Sequence, residues 1–190
     1  MSLAKKRCGW VKLSEPVYID YHDMEWGRPL HDDRALFELF SLETQSAGLS
    51  WLTVLKKREG YREVFDNFDL ETVAVYDEKE IDRIIESGLV IKNRPKIRAI
   101  IDNARGFLAI VEEYGSIDSY FWGKVGGRPI VNDVADYKTA VTTSAISDAI
   151  TKELKERGFK FVGSTTIYAF MQACGMVDDH ENDCFCKGHL

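Results

Sequence analysis

Apolar positions recur along most of this chain at intervals of three and four, the spacing that gathers side chains on one face of an α-helix. Behind Asp32 and Asp33, either of which can cap, Leu36, Phe37, Leu39 and Phe40 make such a stripe. Gly48 interrupts it, since glycine costs about 1 kcal/mol inside a helix. Leu52, Val54 and Leu55 resume the pattern as far as Gly60. Asp69 caps a short helix through Val75. Asp77 with Glu80 resembles a capping box ahead of Ile81, Ile84 and Ile85, and Gly88 stops that helix. After LVIKNRP, with Pro95 in a first turn, comes a long stripe: Ile97, Ile100, Ile101, Ala104, Phe107 and Leu108. Residues 115–144 are weakly periodic and read as loops with short helical pieces. Ser144 opens a helix (Ile146, Ala149, Ile150, Leu154) that ends at Gly158, and a last helix carries Ile167, Phe170, Met171 and Cys174 up to Gly175. The opening CGWVKLSEPVYIDYHDMEWG is aromatic-rich but punctuated by Pro16 and Gly27, which predicts an ordered, irregular segment packed on the body. No period-2 alternation is sustained, and no internal repeat is present. The predicted fold is all-α, in a single domain over 1–190.

Composition narrows the class. At 190 residues and 45% hydrophobic the chain can bury one substantial core. No apolar run approaches the roughly 18 residues a bilayer span requires, and MSLAKKRCGW lacks the apolar stretch of a signal peptide. These features predict a soluble, cytoplasmic protein with no membrane partner. A net charge of −6 argues against a broad, non-specific nucleic-acid binder but leaves room for a DNA enzyme with a local basic face. Three basic runs could supply one: 56–58, 92–98 and 152–160, each of which also reads as a solvated helix face. The second run lies between two helices at 77–112. A short turn there, with free backbone N–H groups at the start of the second helix, can hold a DNA phosphate. An ordinary helical hairpin is the plainer alternative, and Lys92, Arg94, Lys96 and Arg98 favour DNA.

Two clusters bear chemistry. In LETQSAGLSW (42–51) a single carboxylate, Glu43, precedes a small-residue break, with the Trp51 indole eight residues on. Beside a bend, such a pair can line a pocket for a flat, nitrogen-rich ring, the indole stacking on its face and the carboxylate accepting from its edge. The plainer reading is an amphipathic helix with a solvated Glu43. The second cluster is the tail, which gathers His180, Cys184, Cys186 and His189 within ten residues. His180 and Cys184 are four apart, so a helical turn would face both one way. Cys8 and His22, at the other end, could complete a tetrahedral Cys₂His₂ set of the kind Zn²⁺ prefers, structural because it is filled. Cys186 and His189 compete for the same role, and reduced thiols without metal are the alternative.

Several stretches together, RCGW (7–10), YHDMEWG (21–27), LETQSAGLSW (42–51), RGFKFVG (157–163) and FMQACGMVDDH (170–180), make the chain resemble the bacterial 3-methyladenine DNA glycosylase I family nearly end to end. The resemblance implies a helix-hairpin-helix glycosylase with the hairpin motif at about 77–112. It implies one structural zinc joining 1–27 to 176–190, with ligands on Cys8, His22, His180 and Cys184. It places the base pocket on Glu43, Trp51, Tyr18 and Tyr21, with Trp10 and Trp26 nearby. The implied activity is hydrolysis of the N-glycosidic bond of 3-methyladenine in double-stranded alkylated DNA, by base flipping in a monomer, with free 3-methyladenine as product. Glu43 is then the catalytic candidate, Gly48-Leu49 the wedge that enters the base stack, and Lys92, Arg94 and Lys96 the hairpin contacts to phosphate. Two departures from wider helix-hairpin-helix enzymes stand out. GLVIKNRPK lacks their paired glycines, and no counterpart of their catalytic aspartate comes after the hairpin, although Glu112, Glu113 and Asp118 are in the vicinity. With Lys96 read as a phosphate contact, no lysine is assigned to a Schiff base, so a monofunctional enzyme is expected. A non-catalytic, zinc-stabilised module that binds damaged DNA is the alternative.

Overall fold

The computed structural model describes residues 5–188. Helices account for most of it. Asp32 caps α2 (Asp33–Gln45) by accepting from Ala35 N at 2.9 Å, and Ser50 caps the short α3 (Trp51–Leu55). The break between them falls at Ser46 to Ser50, with Gly48 at φ +76°. That is the discontinuity the glycine predicts, and it leaves the Gly48-Leu49 turn on the surface with Leu49 43% exposed.

Helix α4 (Arg58–Val64) runs through Gly60 instead of stopping there. The reason is long-range: a Cβ on Gly60 would lie 2.5 Å from the Leu89 carbonyl oxygen, so this glycine marks a backbone crossing. Asp69 caps α5 (Leu70–Ala74), and Asp77 caps α6 (Glu78–Ser87) by accepting from Lys79 N and Glu80 N. Glu80 does not complete the predicted capping box; its carboxylate pairs with Arg83 at 2.6 Å. Gly88, left-handed at φ +69°, closes α6, and Asn93 caps α7 (Arg94–Tyr114), with Pro95 in its first turn. Of the weakly periodic 115–144 stretch, α8 (Ile117–Gly123) and a two-residue strand, β1 (Ile130–Val131), are regular. A reciprocal Ser144/Ser147 capping box opens α9 (Ala145–Glu156). Helix α10 (Ser164–Ala173) comes next, and β2 (Val177–Asp178) pairs parallel with β1.

The core sits where α2 packs against α7, α8 and α10. Phe40 is its hub, with ring centroids 4.9 Å from Phe107, 5.5 Å from Phe170 and 5.9 Å from Phe159, all near edge-to-face. Glu43, near the end of α2, is buried beside a cavity that Tyr18 and Tyr21 of α1 also line. Among the described residues no helix is long and apolar enough to cross a membrane.

The N-terminal segment corrects the sequence reading. Pro16–Met24 is a regular helix, α1, with Pro16 in its first turn, where its missing N–H costs nothing. Proline reads as a break from sequence, but here it is an initiator. The segments on either side of the helix are tied down: Gly27 N donates to Gln172 O at 3.1 Å, Leu30 N to Cys174 O at 3.0 Å, and Phe185 N to Lys6 O at 2.9 Å. The two ends of the described chain are thus laced together.

Candidate active site and metal centre

Helix α1, the end of α2 and the start of α3 enclose a cavity of about 350 Å³ lined by Trp10, Tyr18, Tyr21, Trp26, Glu43 and Trp51. These are the six pocket residues the sequence indicates, drawn from three separate stretches. Tyr18 and Tyr21 are three apart on α1 and stack at 6.5 Å with 12° between planes; Tyr21 and Trp51 meet at 5.4 Å. The result is an aromatic slot with one carboxyl inside it. Glu43 is 6% exposed. Burial pushes its carboxyl up to about 8, against a smaller opposing pull from the Ser46 hydroxyl. It is therefore largely a neutral acid at pH 7, and it becomes an anion readily when a cation enters the slot. Burial also raises the Tyr18 and Tyr21 phenols, and the neighbouring Glu43 charge adds to this. Both stay protonated and can donate.

The sequence missed the opposite wall. Asp179, 4% exposed, also lines the cavity. Its carboxylate accepts from Asn132 Nδ2 at 2.7 Å, Tyr168 OH at 2.8 Å and Gln172 Nε2 at 2.7 Å. Three donors fix its orientation on the cavity wall. Its only local signal is its place beside His180; Asn132 is 47 residues away, which no short motif encodes.

Behind Trp10 and Trp26 lies a group able to hold a metal. Ligand atoms of His22, His180, Cys184 and Cys186 lie within 4.8 Å of one another, all buried. The donor chemistry fits a metal ion. His180 Nε2 is buried with no hydrogen-bond partner, while its Nδ1 lies 2.9 Å from Asp178 Oδ1. His22 Nδ1 likewise lies 2.9 Å from Asp23 Oδ1, leaving Nε2 3.4 Å from Cys184 Sγ. A carboxylate behind each imidazole orients the other nitrogen inward, the arrangement metal-bound histidines use. Burial, countered by the Asp23 hydrogen bond, holds His22 below the ordinary histidine range and so in the neutral, ligating form. The close quartet contains Cys186, one of the two tail competitors; His189 lies outside the described residues. Cys8 borders the quartet: its N is 3.4 Å from His22 Nε2, and its thiol accepts from Glu181 N at 3.3 Å. The tail is a series of turns here, not a helix, so the four-residue spacing of His180 and Cys184 is bridged by loop geometry.

The metal group and the aromatic slot share walls. Trp26 is edge-on to His180 at 4.6 Å and Trp10 edge-on to His22 at 5.2 Å. Gly27 (φ +76°) makes this closeness possible, since a Cβ there would sit 2.4 Å from His180 Cε1. Gly27→Ala is expected to destabilise the fold by about 2–4 kcal/mol. Gly88→Ala, left-handed but facing open space, is expected to cost only about 1 kcal/mol. Paired thermal melts test the contrast, and equal shifts would contradict the crowding argument.

The hairpin residues divide. Lys92 is exposed in the 88–93 turn. Arg94 is exposed but pairs with Glu78 and Asp82 of α6, so the basic run is partly neutralised. Lys96 is corrected outright as a phosphate contact. It is 6% exposed, and its ammonium donates to Gln45 O at 2.8 Å and Ala47 O at 2.6 Å. A lysine three residues into α7 points inward because α7's buried face turns that way.

The sequence profile described as methyladenine glycosylase matches residues 10–187. A DNA-3-methyladenine glycosylase from Haemophilus influenzae is 49% identical over 181 residues, covering 95% of this chain and 97% of that protein. DNA-3-methyladenine glycosylase 1 from Escherichia coli is 47% identical over 181 residues, covering 95% and 96%. A solved structure of a 3-methyladenine DNA glycosylase I variant in complex with 3-methyladenine matches with a TM-score of 0.91 at 40% identity, covering 95% of this chain and 97% of that one.

Proposed function

The chain belongs to the methyladenine glycosylase family, enzymes of base-excision repair, and from that premise we propose how its residues release 3-methyladenine from double-stranded alkylated DNA. The observation that carries the reading is Glu43, a buried, predominantly neutral carboxyl inside an aromatic slot. Such a slot discriminates by charge. Neutral adenine gains stacking alone, whereas a ring made cationic by methylation at N3 also gains attraction to the π faces of Trp51, Tyr18 and Tyr21 and to an ionising Glu43.

Cleavage then needs little acid catalysis. The C1′–N9 bond breaks with its electron pair moving into the ring, which cancels the positive charge as free 3-methyladenine departs. Water adds to C1′, and its proton passes to solvent. Flipping the nucleotide costs a few kcal/mol, returned by the slot and by an apolar wedge that fills the gap in the stack. Gly48-Leu49 suits the wedge, being an exposed turn that directly joins the Glu43 helix to Trp51. The α6–turn–α7 unit serves as the helix-hairpin-helix element, with Lys92 and the first N–H groups of α7 toward phosphate. The reaction is monofunctional: no lysine is among the cavity's lining residues, and Lys96 is tied to two carbonyls. The metal group takes Zn²⁺, for which mixed imidazole and thiolate donors are suited, in a structural role within one monomeric domain.

The test is release of free base from methylated duplex DNA, with abasic-site cleavage measured in parallel. Release of 3-methyladenine without β-elimination products supports the reading. Tight binding to the lesion with no base released would make this a non-catalytic damage-binding module.

A further inference from the structure

We infer that Lys96 is a positioning residue, locking the α6–α7 hairpin to the Gly48-Leu49 turn so that a duplex seated on one is aligned with the other. The inference deepens the base-extrusion reading and rests on it.

Three hydrogen bonds join the first turn of α7 to the end of α2 and the break that follows it. Lys96 Nζ donates to Gln45 O and Ala47 O, and Gln45 Nε2 donates back to Lys96 O at 3.1 Å. The cation sits at the carboxyl end of α2, where the last carbonyls lack helical partners and the helix dipole is negative. A second strut reaches the same glutamine from the other arm of the hairpin: Tyr61 OH donates to Gln45 Oε1 at 3.3 Å and accepts from Ile91 N at 3.4 Å. Ile91, within the 88–93 turn, and Lys96, just past it, thus both connect to Gln45, the former through Tyr61.

The wedge begins just past Gln45 in the chain. Ala47 O belongs to the peptide that leads into Gly48, so the Lys96 ammonium fixes the plane on which the left-handed glycine turns. Beyond that, Leu49 N donates to Ser46 O at 2.7 Å, and a Cβ on Gly48 would meet nothing within 4 Å. Among the described residues no side chain hydrogen-bonds to the backbone of Gly48 or Leu49, so the placement of this outer turn follows the inner one. Glu43, two residues before Gln45, is anchored in the slot by the opposite face of α2. Lys96 therefore bears on insertion into the stack more than on reading the base.

The experiment compares Lys96→Met with the natural protein in three measurements. Affinity for free 3-methyladenine, read by tryptophan fluorescence, is expected to be unchanged, because the slot is intact. Single-turnover release from methylated duplex DNA is expected to fall about 10–100-fold, the cost of misplacing a group by around an ångström. Combined with Leu49→Ala, the losses are expected to be less than multiplicative, since both act through one wedge. Parallel loss of free-base affinity and release, fully multiplicative losses, or undiminished release would each overturn the inference. Should Lys96→Met not fold, Lys96→Arg keeps the charge while its planar fork cannot reproduce both carbonyl contacts, and it is expected to show the same split in smaller measure. If the natural protein releases no base, the glycosylase reading fails separately. Affinity for a lesion-bearing duplex then replaces release in the same cycle.

Discussion

Replacing Glu43 by Gln is expected to cut release of 3-methyladenine from methylated duplex DNA roughly a hundredfold or more, the scale of removing one preorganised electrostatic group from a water-poor site. The same change is expected to make the protein more stable at alkaline pH. Both effects come from one cause, a carboxyl whose burial raises it to about 8. On the proposed mechanism the functional form is the anion, which favours a cationic ring, so kcat/KM of the natural protein should climb as pH rises through about 8. The glutamine variant should show no such rise. The stability effect has the opposite sense. A carboxyl raised in the fold favours the native state while it is neutral. That advantage is full below the unfolded value of about 4.3 and is lost as pH rises through about 8. Glutamine, shaped like the neutral acid, escapes that loss. The gap between the two proteins should therefore open with pH and level off above about 8, at a size on the order of a few kcal/mol. Thermal melts and rate profiles between pH 6 and 9 check both. A flat profile for the natural enzyme, with equal release by the glutamine variant, would remove Glu43 from the mechanism.

Taking away the metal is expected to act more broadly. His22, His180, Cys184 and Cys186 come from α1 and from the tail, so the ion they can hold is a cross-link between distant parts of the chain. Without it, two imidazoles and two sulfurs remain buried, with His180 Nε2 unpartnered. Chelation, or His180→Ala, is expected to destabilise the fold by several kcal/mol and to free the segment carrying Trp10. Because Trp10 packs on His22 and Trp26 on His180, and both also line the aromatic slot, affinity for 3-methyladenine should fall as well. Elemental analysis should give one zinc per chain. Cobalt substitution then counts the thiolates, and single alanine variants of Cys8 and Cys186 identify which sulfurs bind. A metal-free preparation with an unchanged melting temperature and base affinity would refute the cross-link.

How these sites are built explains why some residues are legible in the sequence and others are not. The caps at Asp32, Ser50, Asp69, Asn93 and Ser144, the stop at Gly88 and the bend at Gly48 are local events, each decided within about four residues. Amino-acid order alone therefore determined most of the helical elements, α1 and the run of α4 through Gly60 excepted. Of the slot's members, local spacing marked Glu43 and Trp51, beside the plainer reading of an amphipathic helix, while Tyr18, Tyr21, Trp10 and Trp26 came only with the family resemblance. Gly60, Pro16 and Lys96 show the limit. Their ordinary local meanings are a helix stop, a chain break and a surface cation. Each meaning is reversed by a partner elsewhere: Leu89 against Gly60, the 172–185 region against α1, and the α2 carbonyls around Lys96. The hydrogen-bonded Asp179 wall and the entry of Cys186 into the His/Cys group likewise exist only through contacts spanning 47 and about 160 residues. Tertiary structure also decided the protonation of Glu43. A carboxylate's ordinary pKa belongs to the residue, whereas its shift belongs to the water that folding removes.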